Sequence, residues 1–343
     1  MEKNRYLQGK MTFDIRLCQD IIPDVGNSQV LVHVLFCGVC GTDVHILKEF
    51  GVYTPLGHEI SACVVKVGPD VTLVREGDLV VVEDVTFCGR CVPCQNGRTD
   101  LCQNKRTLNG QSGMGEFILV DESLVVPANG VDPMSAALTE PLAVAMNAVI
   151  ATRLIPAGNL AIMGLGALGI MSAAMARNAG AGKVIIVGSQ RGNARNAARE
   201  RLARKMGAAE VFYFSDKTLK DEVKESVSGK IDAVLVTSPP ETIPTALSLA
   251  DYGAPVVVLG VAMGGTSSVN IDVDKLIFNK NAIVPVLAEP ARFFPQCLQL
   301  VRNGSIDAAS FVTHQFGLET TGKLKEAYEA DTGIVKAVFS TEN

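Results

Sequence analysis

Gly164-Leu165-Gly166-Ala167-Leu168-Gly169 stands between the apolar run LAIM and the helical pattern LGIMSAAMARNAG. A strand that passes into a helix through so short a turn has few solutions, and glycines at this spacing supply one. The first allows the tight turn, the second lets backbone approach a ligand, and the third lets helix and strand pack closely. Around this turn, strand-like and helix-like stretches alternate: NLAIMG, KVIIVG, AEVFYF, IDAVLVTS and APVVVLG are separated by ALGIMSAAMARNAG, NAARERLARKMGA, LKDEVKESV and IPTALSLADYG. That alternation predicts an α/β domain with a doubly wound parallel sheet, helices covering both faces. In that context Gly164, Gly166, Leu168 and Gly169 form a candidate dinucleotide site, with the pyrophosphate on the helix amino terminus.

The first third reads differently. IIPDVGNSQVLVHVLF runs from turn residues into a strand, ISACVVKVGPDVTLVREGDLVVVE holds two β-rich runs split by turns, and EFILV is another. A small barrel-like β domain is expected. PLAVAMNAVIAT is helical in composition and begins the change of pattern. Beyond the α/β stretch, FFPQCLQLVRNG and KLKEAYEADTG read as helices and IVKAVFS as a strand, a tail expected to return to the first domain. The expected division is 1–145 with 288–343 as one domain and 146–287 as the other.

The 343 residues carry 31 Lys and Arg against 36 Asp and Glu, with no long basic run, so small molecules rather than nucleic acid are the expected partners. From Leu154 to Ala176 there is no charged residue, but Pro156, Asn159 and the glycines argue for strand, turn and buried helix rather than a membrane span. The amino terminus scatters charges and holds no apolar run, so no secretory signal is read there and a cytoplasmic protein is expected. Nine cysteines in such a chain suit metal better than disulfides.

Four of them are spaced Cys88-x2-Cys91-x2-Cys94-x7-Cys102. Four thiolates on tight turns can close a tetrahedron around zinc, leaving no open coordination position and therefore no chemistry. A second set is different in kind. In GVCGTDVH the thiol of Cys40, the hydroxyl of Thr42 and the imidazole of His45 are close in sequence, and Gly57-His58-Glu59 follows. A thiolate can hold zinc, a hydroxyl two residues on can touch whatever else the zinc holds, and a nearby imidazole can pass that hydroxyl's proton to water.

These stretches together resemble the zinc-dependent medium-chain alcohol dehydrogenase family over nearly the whole length, and specifically its polyol, sorbitol and secondary-alcohol branch. The resemblance implies a GroES-like β-barrel catalytic domain and a Rossmann coenzyme domain, with two zinc ions per chain. It implies Cys40 and His58 as catalytic zinc ligands, with Glu59 beside them and Glu140 of TEPLAVAMNAV as a further ligand or as holder of the zinc-bound water. Thr42 would take the alcohol proton, His45 would relay it outward, and Asp43 would hydrogen-bond His58 and fix its tautomer. Cys37 is not a ligand in the family pattern, and Cys18, Cys63 and Cys297 are read as packing thiols.

Cofactor choice turns on the second strand of the α/β stretch. Enzymes using NAD place an acid about twenty residues after the glycine turn to bind the ribose hydroxyls. Here KVIIVGSQRGNAR puts Gly188 in that place, followed by Ser189, Gln190, Arg191 and Arg195, donors and cations that suit a 2′-phosphate. NADP(H) is therefore favoured over NAD(H). The family's usual homodimer or homotetramer is expected, although Pro285 removes a ladder donor from the last strand, which often pairs across a dimer. The function expected is hydride transfer between nicotinamide and a secondary alcohol, polyol or sugar hydroxyl and its ketone, in a cleft between the domains. Two alternatives are amino-alcohol oxidation of the threonine dehydrogenase kind and a non-catalytic zinc and nucleotide-binding redox sensor.

Overall fold

The computed structural model describes residues 3–342 except 217, 228, 263, 266, 288–291 and 331. The chain separates into two compact units, Met1–Ala143 with Glu289–Ala330 and Lys336–Asn343, and Val144–Ala288 with Asp331–Val335. The expected return point at 288 falls outside the described residues.

The first unit is built on mostly antiparallel strands, with Val312–Phe316 and Lys336–Ser340 the parallel pair. In its seven-stranded sheet Val125–Pro127, Leu79–Val82, Glu59–Val67, Gln29–Gly38, Lys336–Ser340 and Val312–Phe316 lie side by side, and Phe117–Asp121 also pairs with Gln29–Gly38. The carboxy-terminal tail thus completes the β domain: Lys336–Ser340 is buried at every residue and sits beside the strand that leads into GVCGTDVH. Val312–Phe316 was not legible in sequence, because FVTHQF carries a polar pair inside a short run. Lys3–Lys10 pairs with Asp14–Ile21 and Thr54–Pro55 in a separate three-stranded sheet.

The second unit has six parallel strands in the order Glu210–Tyr213, Val184–Gly188, Leu160–Met163, Ala233–Val236, Pro255–Val258 and Ala282–Pro285. Leu160–Met163, Val184–Gly188 and Ala233–Val236 are buried throughout, as strands covered on both faces must be. Strand order reverses beside Leu160–Met163, the point at which open α/β sheets bind ligands. The uncharged stretch from 154 is that strand and the helix Ala167–Asn178, and no helix among the described residues is long and apolar enough to cross a membrane.

Candidate active site

Cys40 ends the approach from the strand Gln29–Gly38 and stands immediately before the helix Gly41–Glu49, an element the sequence reading treated only as a motif. Thr42 occupies the first turn of that helix with its hydroxyl oxygen 3.7 Å from the Cys40 sulfur. His45 is one turn on, its ring edge-on to Phe50 at 5.4 Å.

Asp43 is buried and its carboxylate joins the two ligand-bearing segments. One oxygen accepts from the Cys40 N–H at 2.8 Å and the other from the Gly57 N–H, also at 2.8 Å. The expectation that Asp43 hydrogen-bonds the His58 ring is therefore corrected: it acts on His58 through the backbone of the preceding residue and through its charge. Gly57 has φ +84°, and a Cβ there would stand 2.6 Å from the Cys37 sulfur, so only glycine allows this turn into His58. Cys37 is itself fully buried.

Cys40, His58 and Glu59 bring their sulfur, nitrogen and oxygen within 4.8 Å of one another. Burial opposes charge on His58, but its hydrogen bond to Cys40 and the negative charges of Asp43, Cys40 and Glu140 outweigh it and hold its pKa well above the ordinary value. Glu59 is fully buried; Oε1 accepts from Lys336 Nζ at 2.6 Å while Oε2 has no hydrogen-bond partner. Gly38, its register partner, leaves that carboxylate its space, since a Cβ there would lie 1.9 Å from Oε2. An orphaned buried carboxylate oxygen beside a convergent thiol and imidazole fits a zinc ion, which takes this mixed donor set. Glu140, in the first turn of the helix Thr139–Ala151, is buried and within electrostatic range of His58 and Glu59 but is not in that convergent group. Burial pushes its carboxyl up to about 8, with His58 pulling the other way.

Two residues of this site were missed in sequence. Lys336 lies almost 280 positions from its partner, and a lysine in a strand carries no motif. Asp84 follows the strand Leu79–Val82; the register Ile60↔Val82, carried two residues further, sets it across from His58. Burial raises the Asp84 carboxyl while the His58 charge lowers it, and its Oδ1 has no hydrogen-bond partner.

The other four cysteines also converge within 4.8 Å. Cys91 Sγ lies 3.4 Å from Cys94 Sγ and 3.9 Å from Cys102 Sγ. Sulfurs about 2.3 Å from a tetrahedral zinc stand about 3.8 Å apart, whereas a disulfide brings them to about 2 Å. The spacing fits metal. Backbone N–H groups, that of Arg90 first, lower the Cys88 thiol to about 6, and that of Gln103 leads in lowering Cys91.

In the second unit, Gly164 has φ +130° and Gly166 immediately precedes the helix Ala167–Asn178. A Cβ on Gly166 would meet nothing within 4 Å, while one on Gly169 would lie 2.0 Å from the Gly164 carbonyl oxygen. The open side at Gly166 fits a pyrophosphate on the helix terminus, and the closed side at Gly169 is helix–strand packing. Leu168 lies in the first turn of that helix, and Ser172 Oγ donates to its carbonyl at 2.8 Å. Gly188 ends its strand buried; Ser189, Gln190 and Arg191 follow it exposed, and Arg195 is in the first turn of the helix Ala194–Lys205.

A convergent thiol, imidazole and carboxylate that fit zinc, and a dinucleotide turn on the same chain, are the equipment of a metal-dependent dehydrogenase. Comparison with known proteins agrees. Residues 26–130 match the alcohol dehydrogenase GroES-like domain and residues 167–303 the zinc-binding dehydrogenase domain. The chain is 32% identical over 317 residues to L-threonine 3-dehydrogenase of Bacillus subtilis, covering 87% of each. It is 28% identical over 314 residues to sorbitol dehydrogenase of the same organism, covering 88% of this chain and 86% of that one. A Sinorhizobium meliloti protein described as a zinc-binding dehydrogenase and solved bound to NADP superposes with a TM-score of 0.84 at 29% identity, over 99% of this chain and 100% of that one. The chain belongs to the zinc-dependent medium-chain alcohol dehydrogenase family.

Proposed function

We propose that the protein interconverts a secondary alcohol, polyol or sugar hydroxyl with the corresponding ketone, using NADP(H) in preference to NAD(H) and two zinc ions per chain. The observation that carries this reading is the convergence of Cys40, His58 and the buried carboxylate of Glu59, with the Thr42 hydroxyl 3.7 Å from the Cys40 sulfur.

Zinc bound by Cys40, His58 and Glu59 would supply Lewis acidity to the reacting oxygen, and nicotinamide would supply the hydride chemistry. The chain's own part is position and proton movement. Asp43 fixes the two ligand segments against each other by its paired amide contacts. Lys336 holds one oxygen of Glu59 and so fixes the carboxylate beside the cluster. Thr42 accepts the substrate hydroxyl proton, and His45 releases it to solvent; residues three apart on a helix stand about 5–6 Å apart at Cβ, so one intervening hydroxyl or water links them. Glu140 stands close enough to steady charge on His58 without joining the convergent group. Cys88, Cys91, Cys94 and Cys102 would hold a second zinc, which would supply structure rather than chemistry. Among the described residues the strand Ala282–Pro285 stands at the edge of its sheet, a position that suits a homodimer or homotetramer.

Zinc-loaded protein assayed with NADPH and NADH against a panel of ketones, ketoses, polyols and L-threonine tests this reading. Turnover of a secondary alcohol or polyol couple is expected, with Thr42→Val lowering kcat by ~10²-fold or more. No turnover across the panel at full metal content would favour the non-catalytic binder, and turnover of L-threonine alone would favour the amino-alcohol alternative.

A further inference from the structure

Arg191 follows the strand Val184–Gly188 with its side chain 56% exposed, yet its guanidinium is fixed from two directions. Nη2 and Nε lie 3.0 and 3.3 Å from the two carboxylate oxygens of Asp216. Its central carbon is 4.6 Å from the centre of the Tyr213 ring. Asp216 is itself anchored, accepting from the Tyr213 N–H at 3.0 Å and donating its own N–H to the Tyr213 carbonyl at 2.9 Å. The Tyr213 hydroxyl donates to Glu200 at 2.7 Å, which sets the ring in place.

That ring also bears on the missing acid. Gly188 is the register partner of Tyr213, and a Cβ on it would come within 3.1 Å of the tyrosine ring and of the Leu165 side chain. The ring that crowds a side chain at 188 is thus the shelf on which the cation of residue 191 is carried. Two roles for Asp216 follow, with opposite consequences. It could cancel the Arg191 charge, or it could hold the guanidinium from behind and leave the outer edge ready. The fork uses Nε–H and one hydrogen of Nη2, leaving Nη1 and the other hydrogen of Nη2 for a ligand. Asp216 is only 15% exposed while Arg191 is largely open, so the carboxylate lies on the protein side of the cation. A paired fork at the surface adds little to stability. Its effect is to remove rotamer freedom from a long side chain before a ligand arrives.

We infer that Asp216 is a positioning residue for cofactor choice: with Tyr213 it presents the outer edge of Arg191 as a preformed receptor for a phosphate monoester, the 2′-phosphate of the nucleotide. This rests on the preference for NADP(H) proposed above.

The test is calorimetric binding of 2′,5′-ADP and of 5′-AMP to the full-length zinc-loaded protein, with NADPH and NADH titrations alongside. Unsubstituted protein is expected to favour 2′,5′-ADP, and Arg191→Ala to lose that advantage. Asp216→Asn is expected to weaken 2′,5′-ADP by about fivefold or more while leaving 5′-AMP and the melting temperature unchanged, a selectivity loss that a merely structural role would not produce. Tighter or unaltered binding of 2′,5′-ADP by Asp216→Asn would overturn the positioning role, the first marking Asp216 as a charge canceller. Equal binding of 2′,5′-ADP and 5′-AMP by the unsubstituted protein is a separate result, which would sink the NADP(H) preference and this inference with it.

Discussion

The Lys336 ammonium stands 2.6 Å from one carboxylate oxygen of Glu59, with the lysine side chain 6% and the glutamate side chain 1% exposed. Burial works against the charged lysine, but the Glu59 carboxylate and the Cys40 charge outweigh it and raise its pKa. Breaking such a pair from one side leaves a buried charge alone, at a cost of about 3–5 kcal/mol. Lys336→Met is therefore expected to destabilise the protein by about that amount, and Lys336→Met with Glu59→Gln by less than the sum of the single effects. Urea unfolding of all four proteins at one pH measures the coupling. Additive losses would mean that the pair does not hold Glu59 in place.

The two cysteine clusters are expected to separate by metal content and stability. Cys91→Ser should lose one zinc and lower the melting temperature, because a closed thiolate site contributes folding energy directly. Cys40→Ser should lose the other zinc and turnover while melting close to the unsubstituted protein. Metal analysis after gel filtration, paired with thermal melts, reads both. A single zinc in the unsubstituted protein would refute the assignment of two.

Most of the fold was legible because its pattern is local. Strand runs such as LAIM and VIIVG are apolar throughout, as buried parallel strands require, and the glycine turn sits between strand and helix. The cysteines were legible for the same reason, their ligand spacing being written in consecutive residues. Lys336, Asp84 and the second job of Asp43 were not. Each depends on strand register: Lys336–Ser340 pairs with Gln29–Gly38, which pairs with Glu59–Val67, and only that order brings residues 59 and 336 together. Asp216 was silent too, because its fork with Arg191 forms across a parallel pair whose register no motif announces.

Within the glycine turn, two alanine substitutions should fail in different ways. At Gly169 the new methyl would press on the Gly164 carbonyl at 2.0 Å, and overpacking against backbone should destabilise by about 3 kcal/mol. At Gly166 it would enter open space, so stability should change by less than about 1 kcal/mol while nucleotide binding falls, because the methyl occupies the approach of the pyrophosphate. Chemical denaturation and nucleotide titration of both variants separate packing from binding; equal nucleotide affinity in Gly166→Ala would place the pyrophosphate elsewhere.

Glu83 gives the clearest pH signature. It is 4% exposed, its Oε2 has no hydrogen-bond partner, and burial raises its pKa to about 8, with a hydrogen bond to Thr86 opposing and the Asp84 charge adding. Because the folded value lies above the unfolded one of 4.5, the folded state binds more protons between the two. Its contribution to stability is therefore fully present below about pH 4.5 and is lost as pH rises toward 8, on the order of 5 kcal/mol across that window. Other groups titrate over the same range, so the readout is a difference. The stability of the unsubstituted protein minus that of Glu83→Gln should fall steadily from pH 5 to pH 8 and then level off. A difference that is flat with pH, or that rises, would show that Glu83 is charged in the folded protein and that its buried oxygen has found a partner.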